Sequence, residues 1–543
     1  MFSWKILNLT RAGNIACKTL IITTGILFHC HTTLLSQETT PAITNGARAE
    51  KALRKPNIVF IMSDDHAYQA ISAYGSRLIR TPNIDRIAKE GALLLEAAVT
   101  NSVCSPSRAV ILTGKYSHKN GLKDNGTIFN GAQQTLPGIL QQNGYKTAMI
   151  GKWHLFSNPT GFDFWDILPD QGNYYNPRFI NMGTDTVYKG YVTDIITDLS
   201  IGWIDQHKTA PFCLFLQHKA PHRNWMPPLK YLDTFNDVKF RFPRSFYDQY
   251  QDKPALKRQM ITVKEHLDIR YDSKIPCDSC AVTPVNDWAP AEFKREIERL
   301  TPAEKHLWDS AYSNEYTEFK KIKTKDEMVK FQFQRYMEDY LRCVQSVDDN
   351  VGRVLKYLDD NGLSENTIVI YTSDQGFYLG EHGLFDKRFM YQESFRTPFM
   401  IRYPASIPRD QRLKEYTLNL DIAPTLLDFA GIEIPSDMQG ESMKTLLQKG
   451  KSPGWRQEIY YHYYEKSFGL TAHYGIKTSQ YKLIHFYDPI DSWELYDLRK
   501  DPYEMKNVYA DPQYRQKVVA LKEMLKKLQA RYGDEMKTTK AGR

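Results

Sequence analysis

The chain has no apolar run long enough to cross a membrane comfortably; its N-terminal one, Thr19 to Phe28, is about half of what a spanning helix needs. There is no internal repeat and no low-complexity tract, so a solenoid, a collagenous chain and a disordered chain are all excluded. The basic excess is small, 71 Lys and Arg against 63 acids, and it is spread evenly. A nucleic-acid binder would gather that charge into a stripe, and none is present. No second C-x-x-C accompanies Cys277 and Cys280, which weakens a zinc reading. What remains is a globular composition: 42% hydrophobic, 13% aromatic and 25% charged. A length of 543 residues accommodates a large catalytic domain and a smaller partner.

Residues 1–36 hold Lys5, Arg11 and Lys18, no acid, and the short apolar run, which is the pattern of a secretory signal. Cleavage is expected near Ser36, and the protein is expected to be exported to the periplasm or the outside, free or attached to the surface. Losing the signal lowers the net charge from +8 to +5. Five cysteines then remain, an odd number, so at least one thiol is unpaired or chemically used. For Cys277 and Cys280 a local disulfide, a metal knuckle and two plain thiols are open, the disulfide being favoured. Cys213 and Cys343 sit in apolar patterns and read as core.

Residues 37–56 read as a polar linker. From Asn57 the run NIVFIM fits a strand buried on both faces, and similar runs recur at 147–150, 213–217 and 367–373. Helical patterns at 83–94 and 337–362 separate them. The expectation is an α/β fold, a large mixed and mainly parallel sheet flanked by helices over residues 57–407. Residues 230–330, charged and aromatic without a buried strand, read as an insertion shaping a cleft or rim. From about 408 to 532 a helix closed by Gly431, alternating strand-like runs and a last helix near 513–531 suggest a smaller α+β subdomain with an antiparallel sheet. The tail, 533–543, is expected to be disordered.

Two strands end alike, NIVFIM-Ser63-Asp64-Asp65-His66 and TIVIYT-Ser373-Asp374-Gln375-Gly376. Ligands bind outside the carboxyl ends of parallel strands. If these two are neighbours, three carboxylates and an amide oxygen meet, an all-oxygen set suited to a hard cation such as Ca²⁺. Between them lies Cys104-Ser-Pro-Ser-Arg108, followed by AVILTG. Ser105 as N-cap, Pro106 as first helical residue and Gly114 as stop would put Cys104 at a helix mouth. There the expectation is an exposed thiolate of depressed pKa, with the forked Arg108 donor in the first turn.

C-S-P-S-R matches the C-x-P-S-R signature of the formylglycine-dependent sulfatases, a branch of the alkaline phosphatase superfamily. SDDH, LTGKY, GKWH, KAPH, SDQG with DKR, and ELYDL with DP.E..N follow the family's order from Asn57 to Asn507, nearly all of the chain after the signal. The resemblance implies an alkaline phosphatase-like fold and conversion of Cys104 by a maturation enzyme to formylglycine (3-oxoalanine), whose hydrate is the nucleophile. It implies that Asp64, Asp65, Asp374 and Gln375, with the modified Cys104, hold one Ca²⁺. Arg108 and Lys152 would steady the hydrate, and His154 would assist the elimination that regenerates the aldehyde. His222 would protonate the leaving alcohol or hold the sulfate beside Lys219, and Lys387 would bind sulfate.

The stretch from Asp374 to Ser394, with KAPHRNW and HYGIKTSQYKLIHFY, is similar to bacterial carbohydrate sulfatases, those acting on 6-O-sulfated N-acetylglucosamine in glycosaminoglycans or mucins above all. That implies sugar contacts from Asp386, Arg388 and His473. Tyr460, Tyr461, Tyr463 and Tyr464 could form a sugar-facing wall, ordinary sheet packing being favoured for most of them. Two alternatives stand beside the sulfatase reading: a phosphonate or phosphate ester hydrolase of the same superfamily, and a non-catalytic protein that binds sulfated glycans.

Overall fold

The computed structural model describes residues 55–534. The expected signal at 1–36, nearly all of the linker and the end of the tail lie outside the described residues. No described helix is long and apolar enough to cross a membrane.

The large sheet has ten strands. In chain order these are β1 (Asn57–Ser63), β2 (Ala92–Ala98), β3 (Lys146–Lys152), β4 (Phe164–Leu168), β5 (Arg178–Asn181) and β6 (Thr184–Val187), then β7 (Phe212–His218), β8 (Thr367–Ser373), β9 (Phe399–Arg402) and β10 (Gln411–Leu418). Across the sheet they run β10-β2-β9-β8-β1-β7-β3-β4-β5-β6. The middle five, β8 to β4, are mutually parallel; antiparallel pairs bring in β9 and, on the far side, β5 and β6. The continuous apolar runs have the cause expected of them. Ile58, Phe60 and Met62 of β1 enter one core, while Val59 and Ile61 enter the other on the opposite face. β7 and β8 alternate in the same way, so helices must cover both sides.

The long helix Lys325–Asp360 on one face begins well before residue 337. Thr324 and Glu327 form a reciprocal capping box that sets its start. The helix expected over 83–94 is shorter, Pro82–Lys89. After Gly91 the chain enters β2, because a Cβ at 91 would lie 2.1 Å from the Ile401 carbonyl oxygen. Residues 230–330 contribute short helices and loops and no strand, as expected of the insertion.

A second, antiparallel sheet is built from β11 (Ile459–Tyr463), β12 (Ala472–Lys477), β13 (Tyr481–Asp488) and β14 (Ser492–Asp497), followed by the helix Arg515–Tyr532. The boundary expected near 408 does not separate the two sheets. β10 pairs with β2 at the edge of the large sheet, and the second sheet starts only at Ile459. Alternation in β10 reads like that of the later strands, so pattern alone could not assign it. Cys277 and Cys280 are disulfide-bonded, and Cys213 and Cys343 are buried, as expected.

Candidate active site

β1 and β8 pair residue for residue, ending with Ser63 opposite Ser373. Asp64 and Asp374 therefore leave adjacent strands at the same carboxyl edge. Asp65, at a left-handed φ of 65°, turns back so that its N–H donates to Asp374 Oδ1 at 3.2 Å. Carboxylate oxygens of Asp64, Asp65 and Asp374 all lie within 4.8 Å of one another, and each residue is buried. Burial and the neighbouring carboxylates push Asp65 up to about 7 against the pull of Lys387. Asp374 is pushed up to about 6 by burial and Asp64. Burial also disfavours the Asp64 carboxylate, but Lys152, His222 and Arg108 outweigh it and hold that group well below its ordinary range.

Gln375 closes the group, its Nε2 donating to Asp65 Oδ1 at 2.6 Å and Asp374 Oδ1 at 2.8 Å. Its Oε1 is buried without a hydrogen-bond partner among the described residues. A half-turn of the amide exchanges the two atoms. Three clustered carboxylates and an orphaned amide oxygen fit a hard divalent cation and suit no soft metal.

Cys104 is the first residue of the helix Cys104–Thr113, whose N-cap is Val103 rather than Ser105. Its Sγ lies 3.5 Å from Asp64 Oδ1. Ligand atoms of Asp64, Cys104 and His222 also fall within 4.8 Å of one another. The expected exposed thiolate of depressed pKa is not found. Cys104 is 1% exposed, and burial together with the nearby Asp64 and Asp374 pushes the thiol up despite Lys387 and Lys152.

Cationic and imidazole side chains surround this floor. Arg108 forks onto Asp374 Oδ2, from Nε at 3.2 Å and a terminal nitrogen at 2.9 Å. Its other terminal nitrogen donates to Gln217 Oε1 and to the Lys152 carbonyl, each at 2.7 Å. Lys152, at the end of β3, pairs with Asp64 and donates to Gln171 Oε1. Gly151, just before it, lets β3 lie close against β7, since a Cβ there would sit 2.0 Å from the Gln217 carbonyl oxygen. His154 Nε2 accepts from Gln171 Nε2 at 3.0 Å. Burial, Lys152 and Arg108 hold its pKa well below the usual imidazole range, which keeps the ring neutral. Lys387 Nζ lies 2.8 Å from Asp65 Oδ2.

His222 donates from Nδ1 to the Arg223 carbonyl at 2.5 Å, which leaves Nε2 facing Asp65 Oδ2 at 3.7 Å. Lys219 is buried, with Nζ 4.8 Å from the centre of the Tyr174 ring. Burial and Lys152 push its pKa down to about 8.

Asp65, Lys219, His222, Asp386, Lys387 and Arg388 open on a cleft of about 420 Å³. Its far side comes from the insertion, including Tyr271, Trp288 and Glu296. Arg388 is held by Asp386 at 3.1 Å and Glu465 at 2.7 Å. His473 is not part of the cleft lining. The register of β12 turns it inward, and it is fully buried among Phe389, Tyr461, Tyr463 and Phe486, with Nδ1 bonded to the Thr471 carbonyl. Tyr460, Tyr461 and Tyr463 are buried as sheet packing, leaving only Tyr464 partly open.

The family description Sulfatase matches residues 56–432, and N-sulphoglucosamine sulphohydrolase, C-terminal, matches 380–531. The chain belongs to the sulfatase family. This sulfatase, a sulfuric ester hydrolase, is 46% identical over 492 residues to an N-acetylglucosamine-6-O-sulfatase of Bacteroides thetaiotaomicron, covering 89% of the chain and 87% of that protein. A solved structure of a complex with its substrate D-glucosamine-2-N,6-O-disulfate superimposes with a TM-score of 0.86 at 45% identity, over 90% of this chain and all of that one. The phosphonate monoester hydrolase of Agrobacterium radiobacter shares the fold at a TM-score of 0.62 and 20% identity, over 88% of this chain and 96% of that one.

Sequence reasoning missed three residues of this sulfatase's site: Gln217, which steadies Arg108, Gln171, which joins Lys152 to His154, and Asp272, which holds Arg223 at the cleft wall. Gln217 had a signal, a polar residue at the carboxyl end of an apolar strand. The other two lie in loops without pattern.

Proposed function

We propose that this sulfatase removes the 6-O-sulfate of N-acetylglucosamine in glycosaminoglycan or mucin-type glycans, with Cys104 converted to formylglycine by a maturation enzyme. One observation carries the reading: Cys104 clusters with Asp64 and His222, Asp64 clusters with Asp65 and Asp374, and Asp65, Lys219, His222 and Lys387 open from that cluster on a cleft large enough for a sugar. The sugar itself rests on the similarity to the Bacteroides enzyme. Export is supported by the signal-like residues 1–36 and by the Cys277–Cys280 disulfide, which suits the periplasm or the cell exterior.

Asp64, Asp65, Asp374 and Gln375 would hold one Ca²⁺, which supplies positive charge against the sulfate oxygens when bound. The formylglycine hydrate supplies an oxygen nucleophile in place of the thiol. Arg108 and Lys152 fix the surrounding carboxylates and keep positive charge beside residue 104. Lys387 and Lys219 bind the sulfate, and Asp386 and Arg388 offer hydrogen bonds to sugar hydroxyls at the cleft mouth. His222, with Nδ1 tied to a carbonyl, carries the movable proton at Nε2 and delivers it to the leaving oxygen. Burial, Lys152 and Lys387 disfavour its charged form, and the arriving anion reverses that balance. His154 Nε2 accepts the proton released when the site resets.

The test is sulfate release from N-acetylglucosamine-6-sulfate by protein whose Cys104 peptide shows the formylglycine mass. Release that needs calcium and disappears in Cys104→Ala, by about 10⁴-fold or more, is expected. A folded alanine variant that still turns over would overturn the mechanism, and inertness of the mature enzyme on this sugar would overturn the substrate.

A further inference from the structure

The groups lining the cleft change with depth. Lys219 and Lys387, assigned above to the sulfate, are buried, whereas Trp288 of the insertion lines the same cleft and is 39% exposed. The arginines that line the cleft are already matched: Arg223 by Asp272 at 2.6 Å, Arg295 by Glu292 at 2.8 Å, and Arg388 by Asp386 and Glu465. Charge therefore offers a ligand at the rim little, and an open aromatic surface is what remains. Trp288 stands at the N-cap of the helix Ala289–Glu298, and its ring is held in place. The indole N–H donates to the Val285 carbonyl at 3.1 Å, and Tyr271 packs at 80° to it with ring centres 4.9 Å apart. The Arg223 guanidinium lies 5.4 Å from the indole centre and 5.0 Å from that of Phe385, next to Asp386, and two hydrogen bonds to Asp272 fix it there. An exposed tryptophan whose N–H is bonded inward presents apolar area to a ligand, and one already held loses little freedom on binding.

We infer that Trp288 is a specificity-determining platform for the sugar joined to the sulfated one, whose apolar C–H face stacks on the indole while its hydroxyls stay in water. Depth sets the assignment. The sulfate docks among buried groups, so the ring that carries it fills the cleft and the next ring reaches the exposed rim. Stacking of that second ring does not depend on how many sulfates the first one carries. The inference rests on the carbohydrate reading above and extends it from a single sugar to a chain.

The experiment compares kcat/KM of the mature full-length enzyme on three substrates, in wild type, Trp288→Ala and Trp288→Phe. The substrates are N-acetylglucosamine-6-sulfate, the same sugar joined to an uncharged galactose, and 4-nitrophenyl sulfate. Wild type prefers the disaccharide to the monosaccharide about tenfold, through KM. Trp288→Ala loses that preference and keeps its rate on the monosaccharide, while Trp288→Phe, still aromatic, retains part of the preference. A preference that survives in Trp288→Ala, or an equal loss on all three substrates, overturns the subsite. If the alanine variant does not fold, wild type decides alone: a disaccharide cleaved no better than the monosaccharide overturns it. A wild type that cleaves the aryl sulfate and neither sugar overturns the carbohydrate reading together with the subsite.

Discussion

The floor and the outer wall of the cleft are built by opposite means. The floor hangs from the ends of β1, β3 and β8, and its charges pair across long stretches of chain, as Arg108 with Asp374 and Lys152 with Asp64. The wall is loop and short helix from the insertion, resting on pairs such as Arg223–Asp272 and Asn173–Glu296. Strand ends fix where sulfate chemistry happens; irregular chain decides what may carry the sulfate there. A change in the floor should therefore be felt by every substrate, and a change in the wall by some only.

The largest effect expected on the cation cluster of the floor follows from this. Asp374→Asn removes a carboxylate from the oxygen cluster and leaves the Arg108 fork short of its partner. Calcium affinity should fall about 100-fold, and stability in urea by about 3 kcal/mol. Titration calorimetry and urea unfolding measure the two, and a variant unchanged in both would remove the floor as a cation site. Acidification should weaken calcium in wild type as well. Asp65 and Asp374 are raised to about 7 and 6, so protons compete for them as pH falls through that range.

A smaller effect tests the border between the two regions. Lys219 is pushed down to about 8, so its charge is present below that pH and lost above it. KM for any sulfate ester should then rise about tenfold per pH unit above 8, while Lys219→Arg, charged throughout, should lose that limb. A limb that persists in the arginine variant assigns it to another group. The smallest effect belongs to the wall. Replacing Cys277 and Cys280 by serine opens a very short loop and should cost no more than about 2 kcal/mol. Turnover of 4-nitrophenyl sulfate should be untouched, and a collapse of that activity would show that floor and wall are not separable.

The same division explains what could be read from the sequence. The Ser-Asp endings of β1 and β8 were legible because a strand buried on both faces leaves a continuous apolar run, and the polar residues after it stand out. Their adjacency was a supposition, which the matched register of Ser63 and Ser373 bears out. β2 was hidden because ALLLEAA continues a helical pattern, and only the tight approach at Gly91 separates them. β5 and β6 are too short and polar to announce themselves. At Cys104 the helix mouth was legible, but its burial was not, since that depends on side chains arriving from elsewhere in the chain. His473 failed for a related reason: alternation places it on a face, and only the packed sheet says that the face is closed by aromatic rings.

The burial of Cys104 has a consequence for how the molecule is made. An enzyme that converts this residue must grip the backbone around it, and at 1% exposure the finished protein offers nothing to grip. Asp374, Gln375 and Lys387, which help to close the site, are synthesised long after Cys104. The window for the proposed conversion is therefore the interval of synthesis or translocation before β8 docks beside β1. A chain that closed this sheet before the proposed conversion would seal in the thiol, correct in shape but without the proposed nucleophile.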